Sequence, residues 1–413
     1  MRKIRNYTRK KSHKSIKIFK NQGTKKTKKS NNNAGFIKQY KIISVPNRTP
    51  SDILKIKFST NDKSTLYDSS LSTFKSYAPS VNQRLVTLQS ISRKDLGECN
   101  NKNAFLLKEP LQIKVNKKCF PFHTKEAQQF LLNNLRANKH LDVAKIITPV
   151  QSHSNCWFNT MFVSFFISDK GRKFFHFFRQ LMIQGKQSNG KPIPANLWES
   201  FALLNFAIES SLTGNEYAYD LNTNSIIRHI YLSIPNSYKK KADYLVDVDY
   251  ANNPIYYYKT LMNYLNVNEL SSIVANVFDN NWKNNLEKQI KTESHPPHII
   301  VLEIFDSSDK TPGYSGEIKN KETAFSINGF TYELDSCIIR DIEQNHFSAV
   351  LTCEGKEMAY DGASFHRIAP MKWKHLLNRN DKWKFEGSEK EDGTSLYWSF
   401  LHGYQMLFYY RTK

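Results

Sequence analysis

The sequence predicts an α+β fold, because its apolar segments are helical in the middle of the chain and strand-like toward the C-terminus. Three helix-length apolar segments lie between residues 156 and 210, and short apolar runs separated by turn residues follow between 298 and 411. Helices followed by an antiparallel sheet form two layers, so any functional site is expected at the seam between them. A chain of 413 residues has room for two or three domains.

Residues 1–50 are predicted to be a disordered basic tail. They hold 16 of the 60 Lys and Arg residues and no Asp or Glu, so 16 of the net charge of +23 belongs to them and +7 to the rest. With few apolar residues the tail cannot support a packed core. Such a tail suits nonspecific polyanion contact or a nuclear address, with solubility alone as the alternative.

Residues 51–140 are predicted to be an N-terminal extension of unknown fold, and residues 141–413 the main domain. The extension contains strand-like runs at 53–58 and 111–115 and a helical segment near 124–137.

The main domain is predicted to begin with a central helix at 156–167, which is apolar on nearly every side. A break at 168–171 separates it from a second helix at 172–184, and a third helix spans 197–210. The Asn- and Tyr-rich segment 211–295 remains unassigned.

The C-terminal part predicts a sheet. The continuous apolar run at 298–305 is typical of a strand in a sheet interior. Shorter runs predict further strands at 329–334, 336–340, 347–352 and 358–360. The alternating run at 403–411 is predicted to close the sheet.

Composition argues against several classes of protein. No apolar run reaches the roughly 18 residues of a membrane span, so we expect no membrane partner. Five cysteines form an odd set without a Cys-x-x-Cys pair, which argues against a disulfide framework and a four-thiolate zinc site. We therefore expect a reducing intracellular compartment (cytoplasm or nucleus) and no cofactor.

Cys156 is the predicted nucleophile. It opens the central helix, whose N-terminus favours a thiolate, and Gln151 lies five residues earlier, where its amide can donate to an oxyanion. This pattern indicates a cysteine hydrolase. The alternative is that Cys156 is an inert residue of an apolar helix.

His346 and Asp361 are the predicted base and its orienting acceptor. His346 stands before one strand and Asp361 after the next, and a turn at 354–357 would bring the two side chains together. Taken separately, a His before a strand and an Asp-Gly pair are common without any catalytic role.

Other candidates for these roles are weaker. Cys353 lies on the strand after His346 and is expected in the core. The remaining His candidates lack a strand–turn–acid arrangement or precede Cys156 too closely: His153, His366, His375 and His402.

The segment 156–166 resembles the Cys box of the ubiquitin-specific proteases, in which Cys-aromatic-Met-Asn-Ser precedes an apolar helix. Asn159 and Thr160 match the Asn and Ser of that box, and Gln151 falls where the family has its oxyanion-hole Asn.

Two later segments extend the resemblance. His346-Phe-Ser-Ala-Val-Leu with Tyr360-Asp361 is similar to the family's His-Tyr-x-Ala-Tyr and aromatic-Asp-Asp, and the run 404–410 is similar to its closing Tyr-x-Leu-x-Tyr strand. The match covers about 145–413.

The resemblance implies a papain-like fold with a helical lobe and a sheet lobe, and a Cys156–His346–Asp361 triad with Gln151 as oxyanion donor. It implies a thiol protease, a deubiquitinase that cleaves after the C-terminal Gly-Gly of ubiquitin or a ubiquitin-like modifier, with those conjugates as partners.

The sequence departs from the family at several points. Gln replaces Asn at 151, Gly362 replaces the second Asp, the Gly-rich lead-in is absent, and no Cys pairs stand between 157 and 336 to form zinc fingers. The Cys-Trp dipeptide also resembles papain-type peptidases and transglutaminases.

Two alternatives therefore stay open. One is a maturation cysteine protease of non-ubiquitin substrates, and the other an inactive papain-like scaffold or virion protein whose basic tail binds nucleic acid. The Lys-, Asn- and Ile-rich composition is typical of AT-rich genomes, which some large DNA viruses and some protists share.

Overall fold

The computed structural model describes residues 99–136 and 141–412, apart from short gaps at 100, 102, 105–107, 188, 215–217, 219–222, 249, 268–269, 306–317, 344–345, 365–366 and 391. The basic tail and the predicted strand at 53–58 lie outside the described residues. Within those residues, no helix has the length and apolar character needed to traverse a bilayer.

Helices form the first half of the described chain. A hairpin of β1 (Gln112–Val115) and β2 (Lys118–Pro121) precedes them. The helices are α1 (Lys125–Arg136), α2 (Cys156–Phe166), α3 (Asp169–Phe174), α4 (His176–Gln184), α5 (Ala195–Thr213), α6 (Thr223–Ser233), α7 (Asn236–Lys239), α8 (Pro254–Leu265) and α9 (Trp282–Lys291).

One eight-stranded sheet forms the second half. Its strands are β3 (Ser272–Val277), β4 (Ile299–Ile304), β5 (Ala324–Ile327), β6 (Phe330–Arg340), β7 (Phe347–Cys353), β8 (Lys356–Tyr360), β9 (Ile368–Pro370) and β10 (Gln405–Arg411). The strand order is β3-β4-β10-β6-β7-β8-β9, with β5 paired to β6. All pairings are antiparallel except β3 with β4, which α9 connects. The predicted α+β class is confirmed.

The sheet is buried on both faces. On one face α2 packs across β6 and β7, and its ring of Phe165 lies 5.8 Å from that of Phe408. The other face carries a second apolar core that includes Trp282, Trp373 and Trp398. Burial on both faces places the central strands in the interior and leaves the strand ends at the seam with the helices.

The last predicted strand is present, but it lies inside the sheet. β10 lies between β4 and β6 in the middle of the sheet, and all seven of its residues are buried. Met406 and Phe408 face the helix-side core, whereas Leu407 and Tyr409 face the other. Because both faces are covered, the strand needs no alternation of apolar and polar residues.

The runs 329–334 and 336–340 form one strand, β6, instead of two. The register against β10 shifts between Leu334 and Ser336, so Asp335 is the extra residue of a bulge. Its carboxylate accepts hydrogen bonds from the amides of Lys170 (2.9 Å) and Gly171 (3.2 Å). The polar residue that suggested a strand end therefore anchors a helix.

The predicted helix at 172–184 is divided. Ser168 caps α3 by accepting a hydrogen bond from Gly171, so the expected break at 168–171 is already helical after its first residue. Phe175 then separates α3 from α4. The unassigned segment 211–295 contains α6, α7, α8, β3 and α9.

The N-terminal hairpin and α1 share the helix-side core with the later helices, through Leu111, Ile113 and Leu131. The predicted domain boundaries stay a prediction. A disulfide joins Cys99 to Cys119. This pairing contradicts the expectation of unpaired cysteines: the partners lie 20 residues apart, and spacing alone does not show that a hairpin brings them together.

Candidate active site

Cys156 is the first residue of α2, and its side chain is partly exposed. The ten residues that follow it in the helix are all buried. The buried helix therefore fixes the backbone of Cys156 and presents its sulfur at the positive end of the helix dipole.

The hairpin of β7 and β8 brings His346 and Asp361 together. The turn consists of Glu354 and Gly355, which both have positive φ angles (51° and 69°), and it pairs Cys353 with Lys356. Primed turns of this kind match the natural twist of a hairpin. Nε2 of His346 lies 2.5 Å from Oδ1 of Asp361, and both side chains are buried.

The Cys156 sulfur lies close enough to the His346 ring to influence its charge state. Because Nε2 is occupied by Asp361, Nδ1 is the ring nitrogen left for an interaction with the sulfur. Burial lowers the pKa of His346, but the charge and hydrogen bond of Asp361, together with the Cys156 sulfur, hold this pKa well above its ordinary value. The structure thus brings all three residues into one chain of contacts.

Gln151 lies between the Cys156 loop and the Asp361 turn. Its backbone amide donates to the carbonyl of Gly362 (2.8 Å), and its side-chain Nε2 donates to the carbonyl of His153 (3.2 Å). His153 has a φ of 53°, in the left-handed region that glycine usually occupies. The loop therefore contains a left-handed residue that is not a glycine. One of the two amide hydrogens of Gln151 is therefore used within the loop.

Polar side chains of α6 hold the loop from below. Thr223 accepts a hydrogen bond from Asn155 (2.9 Å) and donates one to Asn159 (2.7 Å). Asn224 donates to both oxygens of Ser152 (2.8 and 3.1 Å). These contacts join residues more than 60 positions apart, and α6 falls in the segment that sequence patterns left unassigned. Sequence patterns could not reveal these contacts, because the partners are not related by a helical or strand period.

The sheet holds the same loop from the other side. The Tyr360 hydroxyl donates to the carbonyl of Pro149 (2.8 Å), and Nη1 of Arg367 donates to that of Thr148 (3.0 Å). Tyr360 immediately precedes Asp361, so one strand end fixes both the acid and the approach to Cys156.

Two further residues surround the His346–Asp361 pair. Asp341 is buried and accepts a hydrogen bond from the His346 amide (2.6 Å), while its own amide donates to the His346 carbonyl (2.9 Å). The ring of Trp398 lies 5.9 Å from that of His346, edge to face. No sequence pattern marks either residue as part of a site. Only the position of Asp341, five residues before His346, offered a signal.

The competing residues lie elsewhere. Cys353 is fully buried at the far end of β7, and burial raises its pKa well above the ordinary value. His402 contacts the Asn380 side chain (3.1 Å), and His375 is exposed in a short helical turn. His366 lies outside the described residues. Among the described residues, no group of three or more potential ligands could hold a metal ion.

Comparisons with known proteins give little more. No protein-family model and no curated protein matches the chain. It is similar to a solved structure of the SAGA DUB module Ubp8/Sgf11/Sus1/Sgf73 bound to monoubiquitin, with 8% identity and a TM-score of 0.39, covering 65% of this chain and 70% of that chain. A structure of the Ubp8-Sgf11-Sgf73-Sus1 SAGA DUB module has 8% identity, a TM-score of 0.36, and coverage of 65% and 68%. A likeness at these TM-scores is not evidence of function.

Proposed function

We propose that the chain is a cysteine-type isopeptidase with a papain-like arrangement of a helical and a sheet lobe. One observation carries the proposal: a partly exposed thiol at the start of α2 lies beside a histidine whose Nε2 is 2.5 Å from a buried carboxylate. This is the geometry that activates a sulfur nucleophile.

In the first step Nδ1 of His346 holds the proton of the Cys156 thiol, and the thiolate attacks the carbonyl carbon of the scissile bond. The imidazolium then passes the proton to the leaving amine, and a thioester remains on Cys156. In the second step His346 takes a proton from water, whose oxygen displaces the sulfur as the acid product forms. Asp361 keeps the ring aligned and its charge compensated throughout.

Two donors are assigned to the oxyanion. One is the backbone amide of Cys156, which as the first helical residue has no partner within the helix. The other is Nε2 of Gln151, whose second hydrogen is not needed for the His153 carbonyl. Each such donor contributes roughly 100-fold or more to the rate in comparable sites.

The proposed substrate is the C-terminal Gly-Gly of ubiquitin or of a ubiquitin-like modifier, joined to an amine. This part of the proposal rests on the resemblance of 156–166, 346–361 and 404–410 to the boxes of ubiquitin-specific proteases. The chemistry of the site does not depend on it.

The test is covalent capture by a ubiquitin that carries a C-terminal electrophile. Wild-type protein should form one adduct on Cys156, mapped by mass spectrometry, and Cys156→Ala should form none. Cys337→Ala is the matched control, because that thiol is free and fully buried in the sheet. Full capture by Cys156→Ala would contradict the proposal.

A panel of probes tests the substrate separately. Ubiquitin, other modifiers and short Gly-Gly-x peptides should differ, with ubiquitin or one modifier preferred. Labelling of Cys156 by small electrophiles without capture by any modifier would favour a protease of other substrates.

A further inference from the structure

The second oxygen of Asp361 has its own donor. Oδ1 receives the His346 ring and the amide of Ala363 (3.0 Å), whereas Oδ2 receives the hydroxyl of Ser388. Asp361 and Ser388 are both completely shielded from solvent. The carboxylate is therefore bound on both oxygens, and water does not compete for either.

Ser388 belongs to a closed loop at 383–398, here called the support loop. Its ends are joined by two backbone hydrogen bonds between Trp383 and Trp398 (3.0 and 2.9 Å). Within it the Ser388 amide donates to Phe385 (3.2 Å), and its carbonyl accepts from Leu396 (3.0 Å). The backbone is thus held on both sides of the hydroxyl.

The support loop also contacts His346. Trp398 stacks edge to face on the imidazole at 5.9 Å, and the carbonyl of Tyr397 accepts a hydrogen bond from Ile342 (2.9 Å), in the loop that leads to His346. Lys390 forms an ion pair with Glu343 of that same loop. One element therefore contacts the acid, the base and the base's loop.

We propose that Ser388 is a positioning residue, which fixes the plane of the Asp361 carboxylate so that the His346 ring stays aligned with Cys156. This inference rests on the proposed function. A buried carboxylate with one free oxygen can rotate about its Cα–Cβ and Cβ–Cγ bonds, whereas donors on both oxygens restrict it to one orientation. The orientation of the acid then determines that of the imidazole.

Ser388 lies outside the three segments that resemble the ubiquitin-specific proteases. A purely structural serine would meet its hydrogen-bonding needs on a nearby carbonyl, as Ser168 does on Ser164 (2.6 Å). Ser388 instead donates to the one side chain that orients the base. Removing its hydroxyl leaves Oδ2 buried without a donor, so the carboxylate is no longer held in one plane.

The experiment measures the rate at which iodoacetamide alkylates Cys156 from pH 5 to 9, followed on the Cys156 peptide by mass spectrometry. Wild type should react well below about pH 8. Ser388→Ala should react about 10-fold more slowly at pH 6.5, with the rise of the profile moved to higher pH and little change at pH 9. Ser336→Ala is the matched control, because Ser336 is equally buried on β6 and should leave the profile unchanged.

The outcomes separate the two proposals. An inert thiol in wild type contradicts the proposed function itself. An activated thiol in wild type together with an unchanged profile in Ser388→Ala overturns only the role of Ser388. Equal slowing of Cys156 alkylation at every pH, or the same shift of the profile in Ser336→Ala, also overturns the role of Ser388. Either result would indicate a general loosening of the fold and not a specific effect on the Asp361–His346 pair.

Discussion

At the scale of single residues, the site depends on which influence on His346 is strongest. Burial disfavours the imidazolium, yet the carboxylate of Asp361 at 2.5 Å and the neighbouring sulfur favour it more, so the pKa of His346 stays well above its ordinary value. The imidazolium then persists at neutral pH beside Cys156.

Asp361→Asn should reverse this balance. Once the carboxylate is gone, burial dominates and the pKa of His346 falls, so the imidazolium is lost from neutral pH. We expect hydrolysis of a ubiquitin C-terminal ester to fall on the order of 1,000-fold in kcat/KM. Alkylation of Cys156 should slow at pH 6–7 and stay near wild type at pH 9. Asp279→Asn, at an exposed carboxylate, is the control.

The same change has a signature in folding stability. A raised folded-state pKa of His346 contributes stability that is complete below the ordinary pKa of histidine, roughly 6.5, and is lost as pH rises through the raised value. The difference in unfolding free energy between wild type and Asp361→Asn should therefore shrink from pH 6 upward. A difference that grows with pH would show that His346 is not the protonated partner.

Sequence patterns could indicate the residues proposed to react but not those that hold them. Cys156, His346 and Asp361 each stand at the end of a recognisable helix or strand, so their positions follow from periodicity. Ser388, Thr223 and Asp341 have no such mark, because each acts through a contact with a residue in another element.

At the scale of elements, the β7–β8 hairpin is fixed at both ends. Its open end carries His346 and Asp361. At its turn, Asp169 of α3 accepts hydrogen bonds from the amides of Glu354 (2.7 Å) and Gly355 (2.9 Å). Arg172 joins Asp169 (2.8 Å) to the Glu354 side chain (2.7 Å). The helical layer thus holds the hairpin at its turn, the end away from the candidate site.

Asp169→Ala should destabilise the protein by about 3 kcal/mol, because it leaves one buried amide, one half-buried amide and one side of a half-buried guanidinium unpaired. The measurement is the urea midpoint at constant m-value. Asp381→Ala removes an exposed partner of Arg379 and should cost less than about 1 kcal/mol. A similar small loss for both variants would show that the turn is not held by α3.

The elements also show where periodicity misleads. β6 was divided in the prediction at Asp335, because a charged residue inside an apolar strand is typical of a turn, whereas a bulge turns that side chain onto α3. β10 was predicted from its alternating residues to close the sheet, but it lies inside the sheet, between β4 and β6. Burial on both faces made that alternation uninformative.

At the scale of the whole molecule, polar contacts join the layers beside the apolar cores. The hydroxyls of Tyr256 (2.9 Å) and Tyr404 both donate to Glu303, and Asn253 donates to Tyr404 (2.7 Å). Burial and the charge of Glu303 raise the pKa of Tyr404 well above its ordinary value, so it remains a neutral donor. Helix α8 is therefore tied to β4 and β10.

The sequence could indicate the two layers but not the second core. Its strand residues pack against residues of α9 and of the polar, tryptophan-containing stretch 373–400, where large apolar residues are isolated among charged ones. Such isolated residues show no helical or strand period, so only the tertiary structure reveals that Trp373, Trp398 and Phe400 lie on one face.

The disulfide gives a test of the chain as a whole. Denatured protein without reductant should take up three alkyl groups, on Cys156, Cys337 and Cys353, and five after reduction.

Cys119→Ala should lower the unfolding free energy by about 3 kcal/mol, the loop-closure value for partners 20 residues apart. The Cys119 side chain is exposed, so little packing is lost and the effect reports the cross-link. Because β1, α1 and the site-bearing helices share one core, capture by the ubiquitin probe should persist in Cys119→Ala at temperatures where the variant is folded. Five alkyl groups before reduction would contradict the pairing and return the cysteines to the reduced state that the sequence predicts.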